Sequence, residues 1–131
     1  MAVLVDTNIY IYARDSRYTV REKFAQHEGD ILLSAVSLAE LRRGFDARQP
    51  DAQLRAERHR LLIERVMVMP FDSAAAQAYA DVLRHKGRQK ARDFDDLIAA
   101  HALSLGVTLV TNNPADFAGI PGLSTQNWAA P

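Results

Sequence analysis

Four short apolar runs recur along this 131-residue chain, and none is long enough to make a helix. They are Ala2-Val3-Leu4-Val5, Ile31-Leu32-Leu33, Val66-Met67-Val68-Met69 and Val107-Thr108-Leu109-Val110. Short runs rich in branched residues and bounded by polar or turn residues read as strands buried on both faces. Stretches with apolar residues at helical spacing separate them. Strands and helices alternating in this way dictate a parallel sheet with helices on both faces. The length suits one domain over residues 1–131, and no repeat, low-complexity tract or linker divides it.

Local signals place the helices. Asp6 or Thr7 can cap a short helix over Ile9 to Ala13, and Val20 to His27 reads as a second helix with polar cover. Ser34 is the N-cap expected for a helix from Ala35 to about Ala47, with Leu38, Leu41 and Phe45 as its apolar stripe. Arg48-Gln49-Pro50-Asp51 breaks it. A charged helix from Ala52 to Glu64 follows, with Leu54, Leu61 and Leu62 on its apolar side. Asp72 or Ser73 caps the next helix, which runs through Leu83 to a polar connection over Lys86 to Lys90. Asp93 to Leu105 is the last long helix, stopped by Gly106. Leu123-Ser124-Thr125 can add a short edge strand before Trp128.

Composition narrows the class. There is no cysteine, which excludes disulfides and thiolate metal sites. No apolar stretch is long enough to span a bilayer, and no secretory signal pattern stands at the start, so the cytoplasm is the expected compartment. Formal charge balances at zero, against the basic excess usual in strong phosphate binders. The cations are nonetheless 13 arginines against 3 lysines. Arginine suits bidentate phosphate or carboxylate recognition, although a GC-rich genome enriches it equally.

Carboxylates and carboxamides cluster where the apolar elements end. Asp6-Thr7-Asn8 follows the first strand at once, on the edge where open α/β sheets bind ligands. Glu40 borders the buried face of its helix, with Val36 and Gly44 rather than cations at i−4 and i+4; Arg43 at i+3 is the alternative partner. Asp95 leads the stripe Asp95, Ile98, Ala99, Ala102 that faces the sheet, whereas Asp93 and Asp96 suit the helix dipole. His101 lies on an apolar stripe and reads as a packed residue. The fourth strand ends in Thr111-Asn112-Asn113, and Asp116 follows. Acids gathered at one sheet edge stay ionised together only with cations among them. Oxygen ligands without cysteine or a histidine cluster favour Mg²⁺ or Mn²⁺, which suits metal-assisted phosphodiester hydrolysis.

Four motifs then resemble a known family in order. They are Val3-Leu4-Val5-Asp6-Thr7-Asn8, Ser34 through Glu40 to Gly44, Phe94-Asp95-Asp96-Leu97-Ile98-Ala99-Ala100-His101, and Thr111-Asn112-Asn113-Pro114-Ala115-Asp116-Phe117. The set resembles the PIN domains, and within them the VapC toxins of VapBC toxin–antitoxin pairs. The resemblance implies a PIN-like three-layer α/β/α sandwich with a central, mostly parallel sheet of four to five strands. It implies a Mg²⁺- or Mn²⁺-dependent endoribonuclease, with Asp6, Glu40 and Asp95 as catalytic metal ligands. The fourth family position, often aspartate, falls on Asn113, and Asp116 can assist it. Thr7 and Thr111, beside Asn8, are the supporting residues expected to orient water or phosphate. An RNA substrate such as tRNA, a VapB-type antitoxin that makes any DNA contact, a homodimer and a hetero-oligomer with the antitoxin follow from the same resemblance. Two other readings stand beside it. Asn113 leaves room for a PIN-fold binding module with weakened catalysis. A receiver-like Mg²⁺ domain would want paired acids after the first strand and a late lysine, but here Asp6 stands alone and no lysine follows Lys90.

Overall fold

In the computed structural model, which describes residues 1–15 and 17–129, every strand of the sheet runs parallel to its neighbours. The strands are β1 (Val3–Val5), β2 (Ile31–Ser34), β3 (Met67–Met69), β4 (Thr108–Val110) and β5 (Thr125–Gln126), in spatial order β3-β2-β1-β4-β5. The chain leaves β1 toward β2 and β3, then returns across it to β4. The order therefore reverses at β1, and the crevice beyond its carboxyl end is the topological switch point where such sheets bind ligands. Asp6 is the first residue past that end.

Helices cover both faces because adjacent strand residues point in opposite directions. Val3, Val5, Ile31, Leu33 and Val110 pack on one face with Ile9, Tyr10 and Ala13 of α1 (Thr7–Arg14) and Val20 and Phe24 of α2 (Tyr18–Gln26). Trp128 closes this layer, edge-on to Phe24 with ring centroids 5.8 Å apart. Leu4 and Leu109 pack on the other face with Val82 of α5 (Ser73–Lys86) and Ile98, Ala99 and Ala102 of α6 (Asp93–Leu105). Small residues on α6 let it lie close to the sheet. Between the layers, α3 (Ala35–Gly44) sends Leu41 to the first core and Val36 to the second, and α4 (Ala52–Ile63) packs on α1.

The expected three-layer sandwich is present, with five strands. Its caps are the expected ones: the Asp6 carboxylate accepts from the Ile9 N–H, Ser34 from Val36 and Asp72 from Ala75. Gly106 ends α6 with φ +68°, a left-handed conformation that a side chain would strain.

Several details depart from the sequence reading. Helix α3 stops at Gly44, where Phe45 turns to extended backbone, so Phe45 lies outside the helix and is exposed. The fully buried residue of α3 is Ser37. On α4, Leu54 and Leu61 are about half exposed, because the helix packs through Ala52, His59, Leu62 and Ile63 instead. The α5 helix extends through Lys86, and the edge strand forms at Thr125–Gln126, one or two residues later than expected.

Candidate active site

Three chain segments bring carboxylates to the carboxyl end of β1. Asp6 is only 8% exposed, and its Oδ1 accepts from Ile9 N at 2.9 Å as the cap of α1. The Thr111 hydroxyl, at the end of β4, donates to the same carboxylate. Burial lifts the Asp6 carboxyl from its ordinary 3.8 to about 6; the Thr111 and Ile9 hydrogen bonds pull against this, and the Asp95 and Glu40 charges add to it. The nearby charges acting on Asp6 are thus both negative.

Glu40 reaches the site from α3 and is fixed by its neighbour across the crevice. Thr7 Oγ1 lies 2.6 Å from Glu40 Oε1 and 3.0 Å from Ser37 Oγ. A carboxylate only accepts, so the Thr7 hydrogen is committed to Glu40 and the Ser37 hydroxyl donates to Thr7. Arg43, the alternative partner for Glu40, forms no ion pair with it and stacks over the Phe94 ring, 4.6 Å from the centroid.

Asp95 stands at the start of α6. Its stripe is buried further along, but Asp95 itself is 46% exposed. Burial raises its carboxyl; Arg92 opposes the rise, and Asp116 and Asp96 add to it. Arg92 lies 3.5 Å from both Asp95 Oδ2 and Asp116 Oδ2, holding two acids from different segments on one guanidinium. Asp96 is the deeply buried acid, with its Oδ2 2.9 Å from Lys86 Nζ. Its role is this ion pair between α5 and α6, beyond the dipole contribution read from the sequence.

The remaining expected positions divide. Asn113 is exposed, and its backbone N–H donates to Thr111 Oγ1 at 3.1 Å. Asn8 is exposed on the first turn of α1. The Thr7 and Thr111 hydroxyls, expected to orient water or phosphate, orient Glu40 and Asp6 instead. Sequence reasoning missed Ser37 and Arg92, although each stands three residues before a site acid, the spacing that makes helical neighbours. His101 is buried, with Nδ1 2.7 Å from Ser34 Oγ, and faces no acid of this cluster. Tyr10 is buried too, and its hydroxyl meets His59 Nδ1 at 2.8 Å.

The donor set is all oxygen, and Asp6 is buried among like charges, which fits a hard divalent cation. Among the described residues, no three carboxylate or imidazole groups close around a common point in this structure. An ion held by one or two carboxylates with water completing its shell, as Mg²⁺ prefers, is compatible with that spacing.

A parallel sheet in this order, with acids just after β1 and on α3 and α6 on the side of its switch point, points to the PIN class, and the PIN domain family model matches residues 3–123. The chain belongs to that family, and within it to the VapC ribonucleases. It is 35% identical to the tRNA(fMet)-specific endonuclease VapC of Shigella flexneri, over 96% of this chain and 97% of that protein. It is also 35% identical to ribonuclease VapC2 of Rickettsia felis, over 98% of each. Among solved structures, VapBC2 of Rickettsia felis bound to a promoter DNA fragment matches with a TM-score of 0.84 and 28% identity, covering 98% of this chain and 99% of that one. DNA-bound VapBC of Salmonella typhimurium matches with a TM-score of 0.82 and 28% identity, over 98% of each chain. The receiver-like alternative is excluded by this family membership.

Proposed function

We propose that this chain is a toxin-type endoribonuclease that hydrolyses RNA phosphodiester bonds with Mg²⁺ or Mn²⁺ at the Asp6, Glu40 and Asp95 cluster, one or two of these carboxylates binding the ion directly and the rest acting through its water shell. The observation that carries the reading is the buried Asp6 carboxylate at the switch point of the sheet, with the acids Glu40 and Asp95 as its charged neighbours. A divalent cation would relieve that repulsion, polarise an attacking water and offset charge on the phosphorus as the bond breaks.

The chain's own groups prepare the site. Thr111 and the first turn of α1 fix Asp6, and Thr7 fixes Glu40, so neither acid must be ordered when substrate arrives. Arg92 holds Asp116 beside Asp95, and both Asp116 and Asn113 are exposed, so the shared guanidinium and the charge, not burial, make Asp116 the better fourth position. That arrangement supplies the negative charge that Asn113 lacks and argues against a site reduced to binding alone.

The substrate class is tRNA or another structured RNA, in keeping with the tRNA(fMet) named for the Shigella relative. The partner is a VapB-type antitoxin, in keeping with the VapBC complexes that match this fold, and DNA contact comes through it. Homodimers and hetero-oligomers with the antitoxin are the expected assemblies, and the cytoplasm is the expected compartment. No helix among the described residues is long and apolar enough to cross a membrane.

The test is RNA cleavage with and without Mg²⁺ or Mn²⁺, in wild-type protein and in Asp6→Asn and Asp95→Asn, alongside Mn²⁺ calorimetry. Cleavage should need the cation and disappear in both folded variants. Undiminished cleavage in either variant, or in EDTA, would overturn the metal assignment.

A further inference from the structure

We propose that Arg43 is a substrate-binding residue that grips an RNA phosphate beside the acid cluster, with Phe94 as its platform. This rests on the ribonuclease reading above and adds to it a residue outside the carboxylate set.

Arg43 stands one turn beyond Glu40, in the last turn of α3, and is exposed. Its guanidinium carbon lies 4.6 Å from the centre of the Phe94 ring. Phe94 immediately precedes Asp95 on α6. The stack therefore joins the two helices that carry Glu40 and Asp95.

Six of the thirteen arginines, Arg17, Arg21, Arg42, Arg43, Arg58 and Arg65, have no carboxylate within ion-pair distance among the described residues, and of these Arg43 is the one stacked on a ring next to a site acid. Arg14, Arg48, Arg55, Arg60, Arg84, Arg88 and Arg92 all lie within ion-pair distance of a carboxylate. Arg43 has no such partner among the described residues, although Glu40 is only three positions away. Glu40 instead takes its hydrogen bond from Thr7. The nearby acid and base thus remain separate: the acid is available to a cation and the arginine to an anion.

The stacking suits that role. A guanidinium lying over a ring engages one face, and its five N–H donors remain in the plane, at the edge. The ring restricts the side chain before binding, so less freedom is lost when a phosphate is gripped. A chain of zero net charge cannot hold RNA by a diffuse basic field, so placed, unpaired arginines must do it locally.

The experiment compares wild-type protein with Arg43→Gln, Arg43→Lys and Phe94→Leu, and with Arg48→Gln as the control, since Arg48 is exposed and paired with Asp46. Binding of a single-stranded RNA oligonucleotide and of a tRNA pool is measured in EDTA across a salt series, and cleavage with Mn²⁺ is measured separately. Arg43→Gln should weaken RNA binding roughly five- to tenfold, lower the salt slope by about 0.7 and raise KM with kcat little changed. Arg43→Lys should keep the slope and recover only part of the affinity, and Phe94→Leu should fall between. Thermal melting, Mn²⁺ affinity and the Arg48 control should not move. Arg43→Gln matching wild type in affinity and slope, or losing only antitoxin binding, would overturn the proposal while leaving the ribonuclease reading intact. A wild-type protein that neither binds nor cuts RNA would overturn the ribonuclease reading first, and this one with it.

Discussion

The Thr7 hydroxyl donates to the Glu40 carboxylate at 2.6 Å, across the gap between α1 and α3. The hydroxyl belongs to the first turn of the helix that Asp6 caps, so one short segment fixes two of the three proposed metal-site acids. Thr7→Val keeps the shape and removes the donor. It leaves Ser37 without its acceptor in a buried setting, which costs about 1–2 kcal/mol. Urea denaturation should show that loss. Cleavage at saturating Mn²⁺ should fall about tenfold or more, because Glu40 is no longer held.

The Asp6 carboxyl gives metal-free stability a definite slope. Its folded value, about 6, lies above the ordinary 3.8 of an unfolded aspartate. The folded state therefore binds the extra proton, and stability falls as pH rises from about 4 through 6. The shift sets an upper bound of about 3 kcal/mol. Asp6→Asn should flatten this slope and, without metal, be about 1–3 kcal/mol more stable than wild type at pH 7.5. Adding Mn²⁺ should raise the wild-type melting temperature more at pH 7.5 than at pH 5 and should not raise that of the variant. An unchanged slope in Asp6→Asn would assign the pH dependence to other groups.

The sandwich, the strand-end acids and the caps were legible in the sequence because they depend on local patterns. Valine-rich runs, capping side chains and a stop glycine each act over a few residues. The helical stripe that singled out Asp95 placed it on the buried face, whereas Asp95 is half exposed and Asp96 is the buried acid. What Asp96 does was hidden, because Lys86 lies ten residues away on another helix. Phe45, Leu54 and Leu61 misled for a related reason. Helical spacing says which residues share a face, but not whether another element covers it. The hydroxyls of Thr7 and Thr111 were recognised as site residues, yet their hydrogen-bond partners lie on other segments.

The Lys86–Asp96 pair should show the asymmetry of buried ions. Asp96 is 1% exposed and Lys86 Nζ is 2.9 Å away. Lys86→Met leaves a buried carboxylate unpaired, and the expected loss is about 3–5 kcal/mol in urea denaturation. Removing both charges in Lys86→Met/Asp96→Leu should recover most of it, since an apolar pair has no desolvation penalty. Asp95 is the neighbour of Asp96 on the first turn of α6, so the single variant should also lose cleavage beyond its loss of folded protein. A double variant no more stable than the single one would mean that this contact is held by shape rather than by charge.

His101 ties together the two helices that carry Glu40 and Asp95. It sits on α6, and its Nδ1 is 2.7 Å from Ser34 Oγ, the hydroxyl that caps α3 by accepting from Val36 N. With Ser34 Oγ accepting from Val36 N, its own hydrogen is available to donate to Nδ1 of a neutral imidazole. Burial lowers the His101 value below the ordinary 6.5. The unfolded chain then protonates first as pH falls, so this residue withdraws stability below pH 6.5, opposite in sign to Asp6. His101→Phe keeps the bulk beside Phe71, whose ring meets the imidazole edge-on at 5.3 Å, but strands the Ser34 hydrogen. It should cost about 1–3 kcal/mol and remove part of the acid-side loss. Pairing it with Ser34→Ala in a double-mutant cycle should reveal a coupling of about 1 kcal/mol, and additivity would show that the two residues act independently.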